Sequence, residues 1–306
     1  GFWLPECGYD PGLETLLREE GFTWTVVSEG SSVQAGGPFR GQGGLNLFLR
    51  DAAASAKIWD RNAGYPADPL FREYHRDFGF DCPDRAAAFR SSPAEPPRAV
   101  GLKAHSVTGP GVPLGEKSPY DPPRAQARAA GLARDFVGSL EGKYVLAAFD
   151  AELFGHWWRE GPVFLERLLR ILGEESCPWS LCDPEGWLER FPEIPRTDPV
   201  PGTWGRDGGF STWVHEATAE NLSRVRAAER RMAILAAKFS LASGHKERDL
   251  NHATRNLLLA EASDWGFMIS GGTFPAYAQR RQEAFLAEAL GSLDRAEAGR
   301  EGEERR

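Results

Sequence analysis

Tyr144-Val145-Leu146-Ala147-Ala148-Phe149-Asp150 is the stretch on which the fold turns. Its apolar residues run without a break and end at an acid. Buried parallel strands, covered by helices on both faces, show this kind of run. A helix is expected next, from about Pro162 to Leu172. Upstream, Ala99 to His105 reads as a strand, and about Pro122 to Leu140 reads as a helix opened by proline. The start of the chain has the same character. Gly1 to Pro5 reads as a strand end, with Glu6-Cys7-Gly8-Tyr9 as the loop after it. Pro11 to Glu20 reads as a helix with Leu13, Leu16 and Leu17 on one face. Phe22 to Val27 is β-branched and aromatic, which predicts a strand. Strand, helix, strand is the order of α/β layers.

Residues 28–44 are rich in Gly and Ser and read as a loop. From Leu45 to about Pro97 the pattern is irregular, with one helix expected at about Ala52 to Trp59, and the stretch reads as an insertion. Past Gly173 the character changes. Residues 183–210 are rich in Pro and Gly, and three helical patterns follow: about Ala217 to Ala242, Asp249 to Ala262 and Pro275 to Ala296. The expected organisation is an α/β part over residues 1–174 with an inserted region at about 28–97. A helical domain over 175–296 and a charged, disordered tail over 297–306 complete it. The chain opens at Gly1 inside an apolar run, where a natural start is usually polar and frayed. It reads as a sequence cut within a domain.

An apolar fraction of 41% and ten tryptophans suit a buried core and argue against disorder. A net charge of −8 disfavours nucleic acid as a partner. No run approaches the roughly 20 apolar residues of a membrane span, and no signal-peptide pattern is present. Cys7, Cys82, Cys177 and Cys182 lack the spacing of a disulfide framework or a zinc site. They read as reduced thiols in a cytoplasmic protein, with no metal expected.

Catalytic groups on (β/α) barrels sit at the C-terminal ends of strands. Glu6 and Asp150 both occupy that kind of position. A retaining glycosidase needs two carboxylates about 5–5.5 Å apart, one as nucleophile and one as acid and then base. A carboxylate partly desolvated at a strand end would have the raised pKa that a general acid requires. The chain has 44 acids, however, and most acids are solvated. Position and composition therefore give an α/β protein with a candidate acid pair and no substrate.

Longer strings carry more. Gly1-Phe2-Trp3-Leu4-Pro5-Glu6-Cys7-Gly8-Tyr9 resembles the nucleophile segment of glycoside hydrolase family 57, which implies Glu6 as nucleophile. Phe149-Asp150-Ala151-Glu152-Leu153-Phe154-Gly155-His156-Trp157-Trp158 resembles its acid/base segment, which implies Asp150. Gly64-Tyr65-Pro66, Arg72 to Asp77, Thr108-Gly109 through Lys117, Tyr120-Asp121-Pro122 and Ser263-Asp264-Trp265 resemble further segments, so the likeness covers essentially residues 1–295. The branching enzymes of the family are the most similar. The resemblance implies the C-terminal part of a (β/α)7 barrel with an insertion, followed by an all-α C-terminal domain. Barrel-like sequence stops near residue 172, short of the roughly 250 residues a whole barrel takes.

The resemblance also implies substrate contacts at Arg50, Trp204, Trp213, Asp264 and Thr273. Ala67 stands where the family's Gly-Tyr-Pro-Gly string has its last glycine. Sugar rings stack their C–H faces on aromatics, and their hydroxyls pair with Asp and Arg. The implied activity is retaining 1,4-α-glucan branching in α-glucan metabolism. Its alternatives are an α-amylase, a 4-α-glucanotransferase, or a glucan-binding protein without turnover. The implied partner is an α-1,4-glucan, and carboxylate chemistry asks for no cofactor. Two departures favour extra hydrolysis. Residues 28–44 hold no Tyr, where similar branching enzymes carry a longer loop with one, and Ser28-Glu29-Gly30 stands where an Asp/His string is usual.

Overall fold

Val26 and Val27 sit fully or nearly fully buried in a strand, β1 (Trp24–Val27). In the computed structural model, which describes residues 1–31, 37–60, 62–92 and 94–298, β1 belongs to a three-stranded sheet. Its partners are β2 (Phe39–Arg40) and β3 (Asn46–Leu49), in the order β1-β3-β2. β1 and β3 run parallel with Val26 opposite Phe48, and β2 lies antiparallel to β3. The strand end expected at Gly1 to Pro5 reduces to one parallel bridge from Phe2 to Thr25, closed by Phe2 N–H to the Trp24 carbonyl at 3.0 Å.

Between β2 and β3 the chain turns at Gly41 to Gly44 over a buried acid. Glu14, on α1 (Leu13–Glu19), is wholly buried and accepts a hydrogen bond from Leu45 N–H at 3.3 Å. A Cβ on Gly41 would lie 2.0 Å from its carboxylate oxygen, so that turn has no room for a side chain.

The helical expectations hold closely. α2 (Ala52–Trp59) is capped by the Asp51 carboxylate, which accepts from Ala54 N–H at 2.7 Å. Two single turns, α3 (Phe78–Asp81) and α4 (Pro83–Ala86), follow. α5 (Pro122–Gly138) opens with proline behind an Asp121 cap, and α6 (Gly161–Leu172) packs on it. Ala125, Ala129, Leu132, Ala133 and Phe136 meet Trp158, Phe164 and Ile171 in one apolar cluster. Each large side chain buried there contributes roughly 1.5–3 kcal/mol.

Three strand expectations change. The middle strand, β3, lies in the stretch that read as irregular. Tyr144 to Phe149 and Ala99 to His105 form no ladder among the described residues. Asp51 N–H donates to the Leu146 carbonyl at 2.8 Å, and His105 makes one bridge to Pro119. An apolar run specifies burial, whereas a ladder also needs a partner strand with free N–H and C=O groups.

The region from Tyr65 to Tyr120 is held by buried charge. Asp77, only 2% exposed, accepts N–H groups of Gly79, Val100 and Gly101 at 2.8, 2.9 and 3.0 Å and pairs with Lys103 at 3.1 Å. Burial opposes its charge, but the backbone donors and Lys103 outweigh that and hold its carboxyl below the usual range. Glu73, paired with Lys117 at 3.3 Å, is lowered in the same way: its burial is outweighed by the His75 N–H and the Lys117 ammonium.

The described chain divides into two compact units. One holds residues 1–2 and 14–199, the other residues 3–13 and 200–306. α7 (Pro184–Arg190) closes the first. The second carries α8 (Glu216–Lys238), α9 (Gly244–Ala260), α10 (Ser263–Gly271) and α11 (Pro275–Ala298). Leu250, Ala253, Leu257 and Ala260 of α9 are buried, as are Leu286, Ala289, Leu293 and Ala296 of α11. Their 3-4-3 spacing makes one apolar seam on each helix. The tail expected at 297–306 begins inside α11, and residues 299–306 lie outside the described residues. So do 32–36 of the loop expected at 28–44.

Candidate active site

Glu6 sits in a left-handed turn. Its φ is 57° and that of Cys7 is 51°, and neither residue is a glycine. Such angles cost of order 1–3 kcal/mol each for an L-residue and persist where the surroundings impose them. Here the surroundings come from residues 200–213 of the same unit. Tyr9 and Gly202 exchange N–H to C=O hydrogen bonds at 2.8 and 3.0 Å, which fixes the far side of the turn. Trp204 N–H donates to the Glu6 carbonyl at 3.1 Å, and the Trp204 indole N–H donates to Glu6 Oε2 at 2.6 Å. One residue thus holds both the backbone and the carboxylate of Glu6.

Trp204 is itself held. Its ring meets Trp3 at a centroid distance of 5.3 Å. Gly205 N–H donates to Thr203 Oγ1 at 2.9 Å, and Thr203 N–H donates to the Gly208 carbonyl at 2.8 Å. The next aromatic, Trp213, lies against Gly205 and Gly266: a Cβ on either would come within 2.9 and 3.2 Å of its ring. Gly266 belongs to α10, whose first turn carries the exposed Asp264. Glu6, Trp204, Trp213 and the α10 helix of Asp264 therefore form one connected set. Thr273 follows α10 directly, its N–H bonded to the Met268 carbonyl at 3.0 Å.

Asp150, Arg50 and Ala67 belong to the other unit. Asp150 is exposed, with extended angles (φ −66°, ψ 129°), and opens a single turn, Ala151 to Leu153. The loop behind it is aromatic. Trp157 stacks on Tyr74 at 4.4 Å and donates its indole N–H to Glu152 at 2.9 Å. Trp158 is buried against Phe71 and Phe164. Arg50 follows β3 and makes a two-pronged bond to Glu29 at 3.1 and 3.2 Å. Ala67 ends the turn Tyr65 to Ala67 beside a surface cleft of about 360 Å³, shared with Asp68, Arg128 and Asp135. Gly64 ahead of it has no room for a Cβ, which would lie 2.4 Å from the Asp60 carbonyl.

Glu29, Tyr74 and Glu152 were outside the expected set. Tyr74 and Trp157 lie inside quoted motifs, and only their pairing was hidden. Glu29 carries no local signal, because an acid 21 residues before an arginine obeys no spacing rule. Among the described residues no group of acids, histidines and cysteines could hold a metal ion. No helix there is long and apolar enough to cross a membrane.

Known proteins resemble this chain over most of its length. A probable 1,4-α-glucan branching enzyme of Mycobacterium tuberculosis is 31% identical over 92% of this chain and 53% of its own length. A crystal structure of the α-amylase AmyC of Thermotoga maritima aligns with TM-score 0.77 at 28% identity, over 99% of this chain and 61% of that one. A family 57 branching enzyme of Thermococcus kodakaraensis, solved with glucose, aligns with TM-score 0.76 at 28% identity, over 94% of this chain and 57% of that one. The chain spans about half the length of the curated relatives it matches. A profile of the C-terminal region of 1,4-α-glucan branching enzymes matches residues 224–304. The profile of glycosyl hydrolase family 57 matches residues 1–194, and the chain belongs to that family.

Proposed function

We propose that this chain carries the two carboxylates of a retaining, α-glucan-active enzyme whose main reaction is 1,4-α-glucan branching. The observation that carries the reading is the Glu6 turn. Two left-handed non-glycine residues present a carboxylate whose position is fixed by an indole hydrogen bond of 2.6 Å. Backbone strain and an aimed carboxylate together suit a nucleophile that must attack from one direction.

In the proposed cycle Glu6 attacks the anomeric carbon of an α-1,4-linked glucan. Asp150 gives its proton to the departing 4-oxygen, and a glucosyl–Glu6 ester forms. Asp150, now ionised, takes the proton of an acceptor hydroxyl as that oxygen displaces Glu6. A glucan 6-hydroxyl as acceptor yields an α-1,6 branch, and water yields hydrolysis. Both proton transfers use a carboxylate, so the cycle asks for no metal or organic cofactor. Trp204 and Trp213 would stack on sugar rings, and Arg50, Asp264 and Thr273 would pair with hydroxyls. Ala67 would approach the glucan at the edge of its turn.

The barrel reading belongs to the same proposal. Residues 1–174 would be the C-terminal part of a (β/α)7 barrel, and 175–296 the helical domain. The free thiols of Cys82, Cys177 and Cys182 support a cytoplasmic setting, with a role in α-glucan or glycogen metabolism. The amylase neighbour favours one second reading, hydrolysis at the same site. Proton NMR of amylose treated with the whole protein decides between them. New α-1,6 signals with a raised share of new reducing ends are expected. Reducing ends without α-1,6 signals would leave an amylase, and neither signal would leave a glucan-binding protein.

A further inference from the structure

The α9 helix carries a polar stripe that the glucan chemistry does not use. Arg248, Asn251, His252 and Arg255 fall at i, i+3, i+4 and i+7 and so share one face. With Asp249 and with Arg295 of α11, they line a surface cleft of about 440 Å³. That lies in the usual range of small-molecule sites, roughly 300–1,000 Å³.

The cleft is held in shape from its base. The buried Ser292 hydroxyl donates to the Glu288 carbonyl at 2.9 Å, so its lone pairs face outward. They accept from His252 Nδ1 at 2.9 Å and from Arg295 Nη2 at 2.8 Å. Arg295 Nε donates to Asp249 at 3.0 Å. The guanidinium is thus oriented by two partners, and its other N–H groups have no acceptor among the described residues. Arg248 and Arg255 are exposed and have no acceptor among the described residues. Three guanidinium groups against one carboxylate reverse the sign of a chain whose net charge is −8.

We propose that this cleft binds the phosphate of a small phosphorylated metabolite, a phosphomonoester or a pyrophosphate. Guanidinium forks match tetrahedral oxyanions through paired, charge-assisted hydrogen bonds. Asn251 adds an amide donor beside them. A merely solvated helix face mixes both signs and pairs them along the helix. Here the one acid of the cleft is engaged by Arg295, and the other two cations are left facing solvent. A long nucleic acid is a poor fit, because the rest of the acidic chain would repel it. The inference stands independently of the glucan reading.

Isothermal titration calorimetry of the whole protein at low ionic strength tests it, with inorganic pyrophosphate as the probe. Pyrophosphate should bind, at least tenfold more weakly in Arg248→Gln/Arg255→Gln and more tightly in Asp249→Asn, which releases Arg295. The helical circular dichroism of the double variant should be unchanged, because both side chains are exposed. Glucose 1-phosphate and ADP serve as further arms: the tighter of the two identifies a sugar phosphate or a nucleotide as the source of the phosphate. No pyrophosphate binding by the unaltered protein overturns the proposal. An affinity that neither variant changes overturns it equally.

Discussion

The Glu6 turn and the Asp150 turn support their carboxylates by different means. Glu6 stands on strained, left-handed backbone, and one tryptophan holds both its carbonyl and its carboxylate. Asp150 stands on relaxed, extended backbone and is exposed; its loop is anchored behind it by Trp157 on Tyr74 and by buried Trp158. The contrast matches the tasks proposed for them. A nucleophile must meet one carbon along one line, so a fixed position serves it. An acid/base must reach a leaving oxygen and then a different acceptor oxygen, so an exposed position serves it.

The largest effect should come from removing either carboxylate, and the substrate should then tell them apart. On amylose, Glu6→Gln and Asp150→Asn should each lower turnover by several orders of magnitude. A glycosyl fluoride needs little protonation of its leaving group. On that donor, Asp150→Asn should recover formation of the glycosyl ester by about 10²- to 10⁴-fold, the usual worth of general acid catalysis. Glu6→Gln should recover nothing, since an amide is no nucleophile. Equal recovery in both variants would mean that the two roles are assigned to the wrong residues.

How much of this was legible in the sequence follows from how local each partner is. The α9 and α11 seams could be read because Leu250-Ala253-Leu257-Ala260 and Leu286-Ala289-Leu293-Ala296 repeat at helical spacing, and a helix bonds to itself. Asn46 to Leu49 could not, because the run is short, its parallel partner β1 is distant in sequence and its other partner, β2, is only two residues long. Tyr144 to Phe149 read as a buried strand; its residues are half-buried and join no ladder among the described residues. The α10 helix was missed because Ser263 to Gly271 holds two glycines and no apolar period. At the site, Glu6 and Asp150 were marked by long motifs. The hydrogen bond that orients Glu6 spans 198 residues of chain, and no pattern announces it.

Behind the Asp150 loop lies the charged core around Asp77, three residues past Tyr74. Asp77→Asn keeps an acceptor but loses the ion pair with Lys103 and leaves that ammonium largely buried. The expected cost is about 3–5 kcal/mol, the scale of breaking a buried charged pair. The pH dependence has a definite sign. Asp77 and Glu73 both have carboxyls lowered in the folded state. Their stabilisation is present above the ordinary carboxylate range near pH 4 and is lost as pH falls through the folded-state values. Thermal melts should therefore be level from about pH 5 to 8 and fall steeply below 4, less steeply in Asp77→Asn. A titration as steep in the variant as in the parent would remove Asp77 from this account.

Trp204→Phe probes the other half of the contrast. Phenylalanine keeps an aromatic ring beside Trp3 and removes the donor to Glu6 Oε2. A hydrogen bond to a charged group is worth about 1.5–3 kcal/mol, so kcat should fall by roughly 10- to 100-fold. The backbone bond from residue 204 to the Glu6 carbonyl is retained, so the melting temperature should move little. Loss of stability without loss of kcat would make Trp204 a packing residue.

The smallest effect concerns Arg50. Its guanidinium is joined at two points to Glu29, whose side chain is 40% exposed. If Arg50 contacts glucan, a sugar hydroxyl must compete with Glu29 or share the guanidinium with it. Glu29→Gln weakens that hold and keeps the shape. A partly exposed pair of this kind is worth about 0.5–1 kcal/mol, so KM for amylose should change by about two- to fivefold. Neither residue has a part in the proposed proton transfers, so kcat should stay level. Tighter binding would mean that Glu29 and glucan compete for Arg50; weaker binding would mean that Glu29 aims Arg50 at the sugar. Unchanged KM in Glu29→Gln and in Arg50→Gln would take Arg50 out of the binding set and leave the pair as a clasp between the ends of β1 and β3.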